Sequence, residues 1–404
     1  MKTKKKNKKW TKLRHRFFRA FLAPVFGPYV KKKYSIDITP LPDGGKRPYL
    51  VLFNHQTAYD QFFVGLCFKR PVYYVASEDL FSMGFTSKII KYLVEPIPIK
   101  KQSTDVRAVL NCMKVAKEGG TIAIAPEGNR TYSGRTGYMN PAIGQLAKKL
   151  RLPIALLRLE GGYGIQPRWS DEVRKGRMKA YVSRVIEVEE QDRLSADDLY
   201  SIINTELYVD EAKTDAEFYA KNNAEYLERV IYVCPECGFS RFESKGDLLR
   251  CTRCNLTAKY LPTKEFEWEG EQRFRFVADW YDYQCDFVNG IDTREYTDSP
   301  IYVEDVRFSE VILYDKKKLI AKEARLLIFG DRIEVSSDAF KTTIPYSAAS
   351  VFAVLGKNKL NVYINDTVYQ VKGDSGFNAL KCVNLFYRFK NLNREVNDGK
   401  FLGV

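Results

Sequence analysis

The chain of 404 residues is 45% hydrophobic and 14% aromatic, which excludes a disordered chain and provides enough apolar material for two or three domain cores. Its formal charge of +15 is concentrated at one end, because residues 1–33 hold thirteen Lys and Arg and no Asp or Glu. The remainder carries 52 basic and 50 acidic residues, which argues against a broad basic surface for nucleic acid.

The N-terminal residues 1–33 predict a basic amphipathic helix that lies in a membrane interface. At about 100° per residue, one side of this helix is apolar: Trp10, Leu13, Phe17, Ala20, Phe21 and Val25. The opposite side is basic: Lys9, Lys12, Arg16 and Arg19. The uninterrupted apolar stretch 20–30 is too short to span a bilayer, and no small-residue cleavage site follows it. The alternative is a disordered basic arm that binds RNA or nothing.

Strand-like and helical patterns then alternate along the chain. The strand-like runs are 48–53, 71–76, 96–99, 121–125 and 152–161, with further β structure at 177–188. The helical patterns between and after them are 59–68, 87–95, 104–120, 141–150, 195–212 and 215–232. This alternation predicts an α/β domain, residues 34–225, with a mixed, largely parallel sheet.

The first motif with chemical content is "NHQTAYD", residues 54–60. His55 follows a predicted strand at its carboxyl end, where open α/β sheets place their sites. On one ideal helix, residues five apart point about 140° away from each other, so His55 and Asp60 cannot pair there. They can pair if His55 lies in the turn and Asp60 in the first turn of the next helix. A single H-x4-D pattern is otherwise a weak signal.

The second motif is "PEGNR", residues 126–130, which also follows a predicted strand. Gly128 permits close backbone approach, and the planar guanidinium of Arg130 suits a phosphate. Glu127 adds a carboxylate. The alternative for this motif alone is a plain turn with a surface ion pair.

Together the two motifs resemble those of the glycerolipid acyltransferase family, the 1-acyl-glycerol-3-phosphate acyltransferases. That family has N-H-x4-D, then E-G-T-R, then an apolar strand with a proline, here "LPIALLRL" at 152–159. The resemblance covers roughly residues 20–200. Two positions depart from the pattern: Asn129 stands where threonine is usual, and Lys100 or Lys101 stands where the family often has arginine. The ammonium of lysine is a point charge, whereas the guanidinium of arginine is planar and can donate two parallel hydrogen bonds. These departures therefore bear on the identity of the acceptor headgroup more than on the reaction.

The resemblance implies acyl transfer from an acyl thioester, on coenzyme A or acyl carrier protein, to a lysophospholipid hydroxyl. His55 would be the general base and Asp60 would orient it. Arg130, with Lys100 or Lys101, would hold the acceptor phosphate, and Glu127 and Gly128 would complete the substrate site. The acceptor is expected to be 1-acyl-glycerol-3-phosphate or another lysolipid.

The strongest motif in the chain is "CPECGFSRFESKGDLLRCTRC". It contains two C-x2-C patterns, one formed by Cys234 and Cys237 and the other by Cys251 and Cys254. Two C-x2-C pairs about one hairpin apart are typical of a zinc ribbon, here residues 226–261. Four thiolates leave no position for water or substrate, so the pattern indicates a structural zinc; iron is the alternative. The other four cysteines are expected to be core residues.

Residues 262–404 are predicted to form a mainly-β domain that ends in a helix at 377–393. The order of its elements resembles a pleckstrin-homology-like or GRAM-like barrel; the alternative is another kind of small β domain. The predicted fold class is therefore an α/β acyltransferase domain followed by a zinc ribbon and a mainly-β domain.

Three functional hypotheses follow. The first is a peripheral acyltransferase at the cytoplasmic face of a membrane with anionic lipids; eight cysteines without a signal peptide favour such a reducing compartment. The second is a non-catalytic, membrane-docked lipid-binding scaffold. The third, a nucleic-acid-binding protein, is disfavoured by the nearly neutral body, and no nucleic-acid partner is expected.

Overall fold

The structure of the protein, a computed structural model, describes residues 9–82, 84–99, 105–312 and 316–393. The chain divides into two units, each assembled from separate segments. The first unit comprises Met1–Asn129, Tyr138–Glu160 and Arg177–Val209. The second unit comprises Arg130–Gly137, Gly161–Gly176 and Asp210–Val404.

The helices fall mainly in the first unit. Its helices are α1 (Leu13–Tyr34), α2 (Asp60–Cys67), α3 (Phe85–Val94), α4 (Val106–Lys117), α5 (Ala142–Leu150), α7 (Val188–Asp192) and α8 (Ala196–Leu207). The helices of the second unit are α6 (Gly162–Ile165), α9 (Val277–Gly290) and α10 (Ala379–Leu392).

The strands are divided between the units in chain order. Those of the first unit are β1 (Ile36–Ile38), β2 (Leu50–Phe53), β3 (Val72–Ser77), β4 (Ile97–Ile99), β5 (Thr121–Ile124), β6 (Ile154–Glu160) and β7 (Met178–Ile186). Those of the segment around the four clustered cysteines and just after it are β8 (Val233–Cys234), β9 (Gly238–Phe239), β10 (Phe242–Lys245), β11 (Leu248–Cys251), β12 (Thr257–Tyr260) and β13 (Phe266–Trp268). Those of the C-terminal region are β14 (Tyr302–Val311), β15 (Lys317–Ile328), β16 (Arg332–Ser337), β17 (Phe340–Pro345), β18 (Val351–Leu355), β19 (Lys359–Ile364) and β20 (Thr367–Gly373).

The first unit is built on one seven-stranded sheet with the order β1-β7-β6-β2-β5-β3-β4. All neighbouring pairs are parallel except β6 and β7, which are antiparallel. Strand β2 lies at the centre and is buried along its whole length, as expected for a strand with helices on both faces of its sheet. The predicted mixed, largely parallel sheet is thus confirmed.

Helix α1 contacts the rest of the first unit through its polar side. Arg19 donates to the carbonyls of Gly65 and Phe68 at the carboxyl end of α2 (3.1 and 2.5 Å), where a cation is favoured by the helix dipole. His15 is buried and its Nδ1 lies 3.1 Å from the hydroxyl of Tyr73. Trp10, expected on the apolar side, is instead buried in the core.

The apolar side of α1 is exposed. Leu13, Phe17 and Phe21 are 70–73% exposed, and Val25 also faces solvent. These side chains lie uncovered on α1, while the role of residues 1–33 as a membrane-binding arm stays a prediction. No helix among the described residues has both the length and the continuous apolarity that crossing a bilayer requires.

The second unit combines two large antiparallel sheets with the two-stranded antiparallel sheet β8-β9. One is the four-stranded sheet β10-β11-β12-β13, and the other is the seven-stranded sheet β17-β16-β15-β14-β20-β19-β18. The predicted mainly-β C-terminal region is confirmed, while its pleckstrin-homology-like identity stays a prediction. One hydrophobic core runs through both large sheets and includes Cys251 of β11, Phe352 of β18 and Phe386 of α10. The rings of Phe352 and Phe386 stack with their centroids 4.4 Å apart.

The helix predicted over 215–232 does not form. This segment has irregular backbone with one 3-10 turn, Leu227–Arg229, and its amides bond to distant carbonyls. The amide of Phe218 donates to Pro262, and that of Tyr219 donates to Lys175 (both 2.8 Å). The apolar residues of the segment are therefore buried one by one in the second unit rather than along one helix face.

A close helix crossing in the first unit gives a stability prediction. Gly144 of α5 faces the backbone of Ala196 in α8 so closely that an added methyl group would overlap the Ala196 carbonyl. We expect Gly144→Ala to lower the free energy of unfolding by at least about 2 kcal/mol, measured by urea denaturation. Gly290→Ala is the control, because that position is open; equal stability of the two variants would contradict this packing.

Candidate functional site

The carboxyl ends of two adjacent parallel strands bring the main motifs together. His55 follows β2 by two residues, and Glu127 follows β5 by three residues. Strands β2 and β5 are paired in register, with Leu52 opposite Ile124. Because they run parallel, the turns that follow them lie at the same edge of the sheet, where open α/β folds place their sites.

His55 and Asp60 form a direct pair at this edge. The Nδ1 atom of His55 lies 2.7 Å from Oδ2 of Asp60. The Asp60 side chain is fully buried, whereas the His55 side chain is 25% exposed. The geometry expected from the sequence is confirmed: His55 lies in the turn after β2, and Asp60 is the first residue of α2.

The surroundings of Asp60 identify it as an acceptor only. Its carboxylate accepts from the amides of Gln56 (2.7 Å) and Thr57 (3.0 Å) and from the hydroxyl of Thr57 (2.6 Å). Since the carboxylate accepts from these three donors, Nδ1 of His55 donates the fourth hydrogen bond. The lone pair of the neutral ring is therefore on Nε2, which is the nitrogen that can take a proton from a substrate.

Glu127 supports the backbone of the same turn. Its Oε1 atom accepts a hydrogen bond from the amide of His55 at 2.7 Å. Gly128 has a φ of +67°, and its amide donates to the carbonyl of Ala125 at 3.0 Å. A glycine is favoured at this left-handed position because it has no Cβ, so the tight turn after β5 depends on it.

Asn54 fixes the turn from its other side. Its amide nitrogen donates to the carbonyl of Leu159 (2.8 Å) and its oxygen accepts from the Leu159 amide (2.7 Å). Both groups are buried, and Leu159 lies in β6, the other neighbour of β2. The turn that carries His55 is thus tied to both adjacent strands.

Arg130 belongs to the second unit, where its carbonyl accepts a hydrogen bond from Arg168 at 3.0 Å. The structure therefore brings together His55, Asp60 and Glu127 within the first unit and assigns Arg130 to the second. Lys100 and Lys101 lie outside the described residues.

The four predicted metal ligands form one cluster. All four sulfur atoms of Cys234, Cys237, Cys251 and Cys254 lie within 4.8 Å of one another. Two of the separations are 3.5 Å (Cys234 to Cys254) and 3.6 Å (Cys237 to Cys251). A tetrahedral zinc with Zn–S bonds of about 2.3 Å needs sulfur atoms about 3.8 Å apart, so the cluster fits such an ion.

Backbone amides at each C-x2-C turn favour thiolates. Burial raises the pKa of the Cys251 thiol, but hydrogen bonds from the amides of Cys254 and Arg253 outweigh it and lower this pKa to about 7. Amides of Glu236 and Cys237 also donate to Cys234, but there burial outweighs them and raises the pKa of the thiol. Donors that point at the sulfur atoms stabilise the charged form that a metal requires.

Two supporting contacts were not predicted from the sequence. The contact between Asn54 and Leu159 spans 105 positions, and Glu127 was expected to meet substrate rather than the His55 amide. Asn54 could have been recognised as a supporting residue because it directly precedes His55 in the first motif. No local pattern indicates which backbone group a carboxylate such as Glu127 will accept from.

Comparisons with known proteins agree with these motifs. Residues 31–158 match the family described as acyltransferase, a range that includes His55, Asp60, Glu127 and Arg130. The chain is 23% identical over 163 residues to the chloroplastic 1-acyl-sn-glycerol-3-phosphate acyltransferase BAT2 of Brassica napus. This alignment covers 39% of the chain and spans about half, 47%, of that protein.

Among solved structures, the chain is similar to the 1-acyl-sn-glycerophosphate acyltransferase PlsC of Thermotoga maritima, with a TM-score of 0.36 and 18% identity. The similarity covers 48% of this chain and 91% of that one. Residues 31–158, which carry both motifs of the candidate site, are therefore the part of the chain that is similar to acyltransferases.

Proposed function

We propose that the protein transfers an acyl group from an acyl thioester to the free hydroxyl of a lysophospholipid, most directly 1-acyl-glycerol-3-phosphate. The observation that carries this proposal is the pair formed by partly exposed His55 and buried Asp60, supported by Glu127, at the edge of the sheet. The distant similarity to 1-acyl-sn-glycerol-3-phosphate acyltransferases supports the choice of acceptor.

The proposed reaction needs one base and no covalent enzyme intermediate. Nε2 of His55 takes the proton of the acceptor hydroxyl while the oxygen attacks the thioester carbonyl. The C–S bond breaks as the new ester C–O bond forms, and the imidazolium returns its proton to the leaving thiolate, which departs as a thiol. Asp60 stabilises the imidazolium and keeps Nδ1 protonated throughout.

The remaining substrate roles are proposed from the motifs. Arg130 binds the phosphate of the acceptor with its planar guanidinium, which is permanently charged and can donate two parallel hydrogen bonds. Lys100 or Lys101 adds a second charge, and Glu127 and Gly128 shape the turn beside His55. The thiol that leaves is proposed to be coenzyme A or acyl carrier protein.

The exposed side of α1 supports a peripheral membrane location. We propose that Leu13, Phe17, Phe21 and Val25 enter the interface of a bilayer at its cytoplasmic face while Lys31–Lys33 meet anionic headgroups. An amphipathic helix that keeps its apolar side uncovered has a lipid surface as its natural partner. This location would give the enzyme access to acceptors that reside in the membrane.

We also propose that the four-cysteine cluster holds one structural zinc ion. Cys234, Cys237, Cys251 and Cys254 would close its coordination shell, so the ion would stabilise the second unit and take no part in acyl transfer. Iron in the same cluster is the alternative, and elemental analysis distinguishes the two.

Replacement of the proposed base tests the catalytic assignment. We expect His55→Gln to lower kcat for acyl transfer by about 10³-fold or more, because Nε2 of His55 is the proposed base and an amide cannot take the proton. The assay follows a labelled acyl group from the thioester into phosphatidic acid. His15→Gln is the matched control, since His15 is the second histidine of the chain and contacts Tyr73 instead. Full activity in folded His55→Gln would refute the assignment and favour the non-catalytic scaffold.

Metal analysis tests the zinc proposal. We expect the purified protein to contain one zinc per chain by mass spectrometry. Cys254→Ser should abolish zinc binding and lower the thermal stability of the second unit, because the three remaining thiolates leave the coordination shell of the zinc incomplete. Cys285→Ser, outside the cluster, should keep the metal. Native protein with neither zinc nor iron would contradict the cluster as a metal site.

Vesicle binding tests the role of α1. We expect the triple change Leu13→Ser, Phe17→Ser and Phe21→Ser to weaken binding to vesicles with phosphatidylserine by at least about tenfold, because each buried side chain is worth about 1.5–3 kcal/mol. Sedimentation measures the bound fraction, which should also fall with added salt. Leu248→Ser, at an exposed position of the ribbon, is the control. Unchanged binding of the triple variant would exclude α1 as the membrane contact.

A further inference from the structure

Helices α1 and α2 of the first unit pack against each other in opposite directions. A Cβ added at Gly27 of α1 would lie 3.4 Å from the side chain of Leu66 near the end of α2, so the helices approach closely there. Further along α1, the ring of Tyr34 lies 5.4 Å from that of Tyr59, measured between centroids. The end of α1 therefore lies beside the start of α2, where Asp60 orients the proposed base.

Aromatic side chains are left uncovered along this helix pair. On α1, Phe26 is 48% exposed and Tyr29 is 58% exposed. At the start of α2, Tyr59 is 37% exposed and Phe62 is 45% exposed. The rings of each pair are in contact, with centroids 6.4 Å apart on α1 and 6.1 Å apart on α2. These four residues are called the aromatic surface.

The side chain of Lys33 joins the two halves of the aromatic surface. Its ammonium lies 5.8 Å from the ring centroid of Tyr29 and 5.9 Å from that of Tyr59. It also lies 5.6 Å from the ring centroid of Tyr34, which is buried. Such cation–π contacts hold the charge beside the rings, and because Lys33 is exposed, it marks the polar border of the surface.

The aromatic surface ends at the turn that carries His55. The amide of Tyr59 donates to the hydroxyl of Thr57 (3.1 Å), which in turn donates to Asp60 (2.6 Å). Since Tyr59 is four positions after His55, their Cα atoms are at most about 14 Å apart. A lipid chain crosses about half of a hydrocarbon core that is about 30 Å thick, so its length is similar. A lipid whose hydroxyl meets His55 can therefore reach the aromatic surface with its chain.

We propose that the aromatic surface binds the hydrocarbon chain of the acyl acceptor and so makes the enzyme selective for long-chain acceptors. This inference rests on the proposed function, because its occupant is the lysophospholipid. Hydrocarbon that covers partly exposed rings removes apolar area from water. The surface also continues the apolar stripe of α1, in which Phe21, Val25 and Tyr29 follow one another at intervals of four. A chain bound there connects the proposed membrane contact with His55.

Titration of the full-length protein with a non-reactive acceptor tests the surface. The probe is 1-acyl-propanediol 3-phosphate, which lacks the hydroxyl to be acylated, with a hexanoyl or a palmitoyl chain and below the concentration at which it forms micelles. We expect the wild type to bind the palmitoyl probe at least about tenfold more tightly. Phe62→Ser should weaken binding of this probe by at least about threefold, because part of the ring is still to be covered, and should leave the hexanoyl probe unaffected. Phe62→Leu should retain most of the affinity.

Phe85→Ser is the matched control for loss of an exposed aromatic side chain. Phe85 lies in α3 of the same unit, is 76% exposed and does not belong to the aromatic surface. This variant should keep the preference of the wild type for the palmitoyl probe. Equal losses for both probes in Phe62→Ser, unchanged affinity for both, or a wild type that does not distinguish the two chains would each overturn the proposal.

Two further measurements examine the other occupants that an apolar surface can have. Phe62→Ser should bind like the wild type to vesicles that contain phosphatidylserine and no lysophospholipid. Weaker vesicle binding with an unchanged chain preference would assign the surface to the bilayer. Conversion of a wild-type dimer into a monomer by Phe62→Ser, seen by sedimentation velocity, would assign it to a second copy of the chain. Either result would overturn the proposal.

Steady-state kinetics connects the surface with the reaction. Phe62→Ser should raise KM for a palmitoyl lysophospholipid by at least about threefold with kcat nearly unchanged, and it should leave KM for the hexanoyl acceptor as in the wild type. Absence of acyl transfer by the wild type with every lysophospholipid would refute the proposed function. The titrations with the non-reactive probe would still decide whether the aromatic surface binds the chain.

Discussion

The candidate site depends on one buried carboxylate. Asp60 collects hydrogen bonds from the turn that precedes it and from the ring of His55, and it does so at the first residue of α2, where the helix dipole favours a negative charge. Removal of this charge would leave several buried donors without an acceptor at once. The orientation of His55 is therefore a consequence of how the backbone between β2 and α2 folds.

The central sheet supplies the second constraint. Because β2 lies between β5 and β6, the turn after it can be fixed from both sides, by Glu127 after β5 and by the Asn54 contact with β6. Glu127 and Arg130 are three residues apart, yet they belong to different units of the chain. Residues 126–129 of the second motif thus belong to the first unit, which orients the proposed base, and Arg130 belongs to the second unit.

The sequence predicted those features that depend on short-range patterns. The alternation of strands and helices was sufficient for the first sheet, and the placement of His55 in a turn was sufficient for its pairing with Asp60. The segment 215–232 was predicted wrongly because its apolar residues have helical spacing, whereas long-range backbone bonds such as that of Phe218 to Pro262 satisfy its amides. Asn54 and Leu159 are 105 positions apart, so no local pattern could connect them.

The central claim is that an imidazole held in one tautomer deprotonates a lipid alcohol. The most direct measurement is a screen of lysophospholipid acceptors with one radiolabelled acyl thioester and the wild-type protein. The account predicts that label enters a diacyl phospholipid, with free thiol released in equal amount and lysophosphatidic acid among the best acceptors. Label that remains in the thioester, or appears only as free fatty acid with every acceptor, would contradict it.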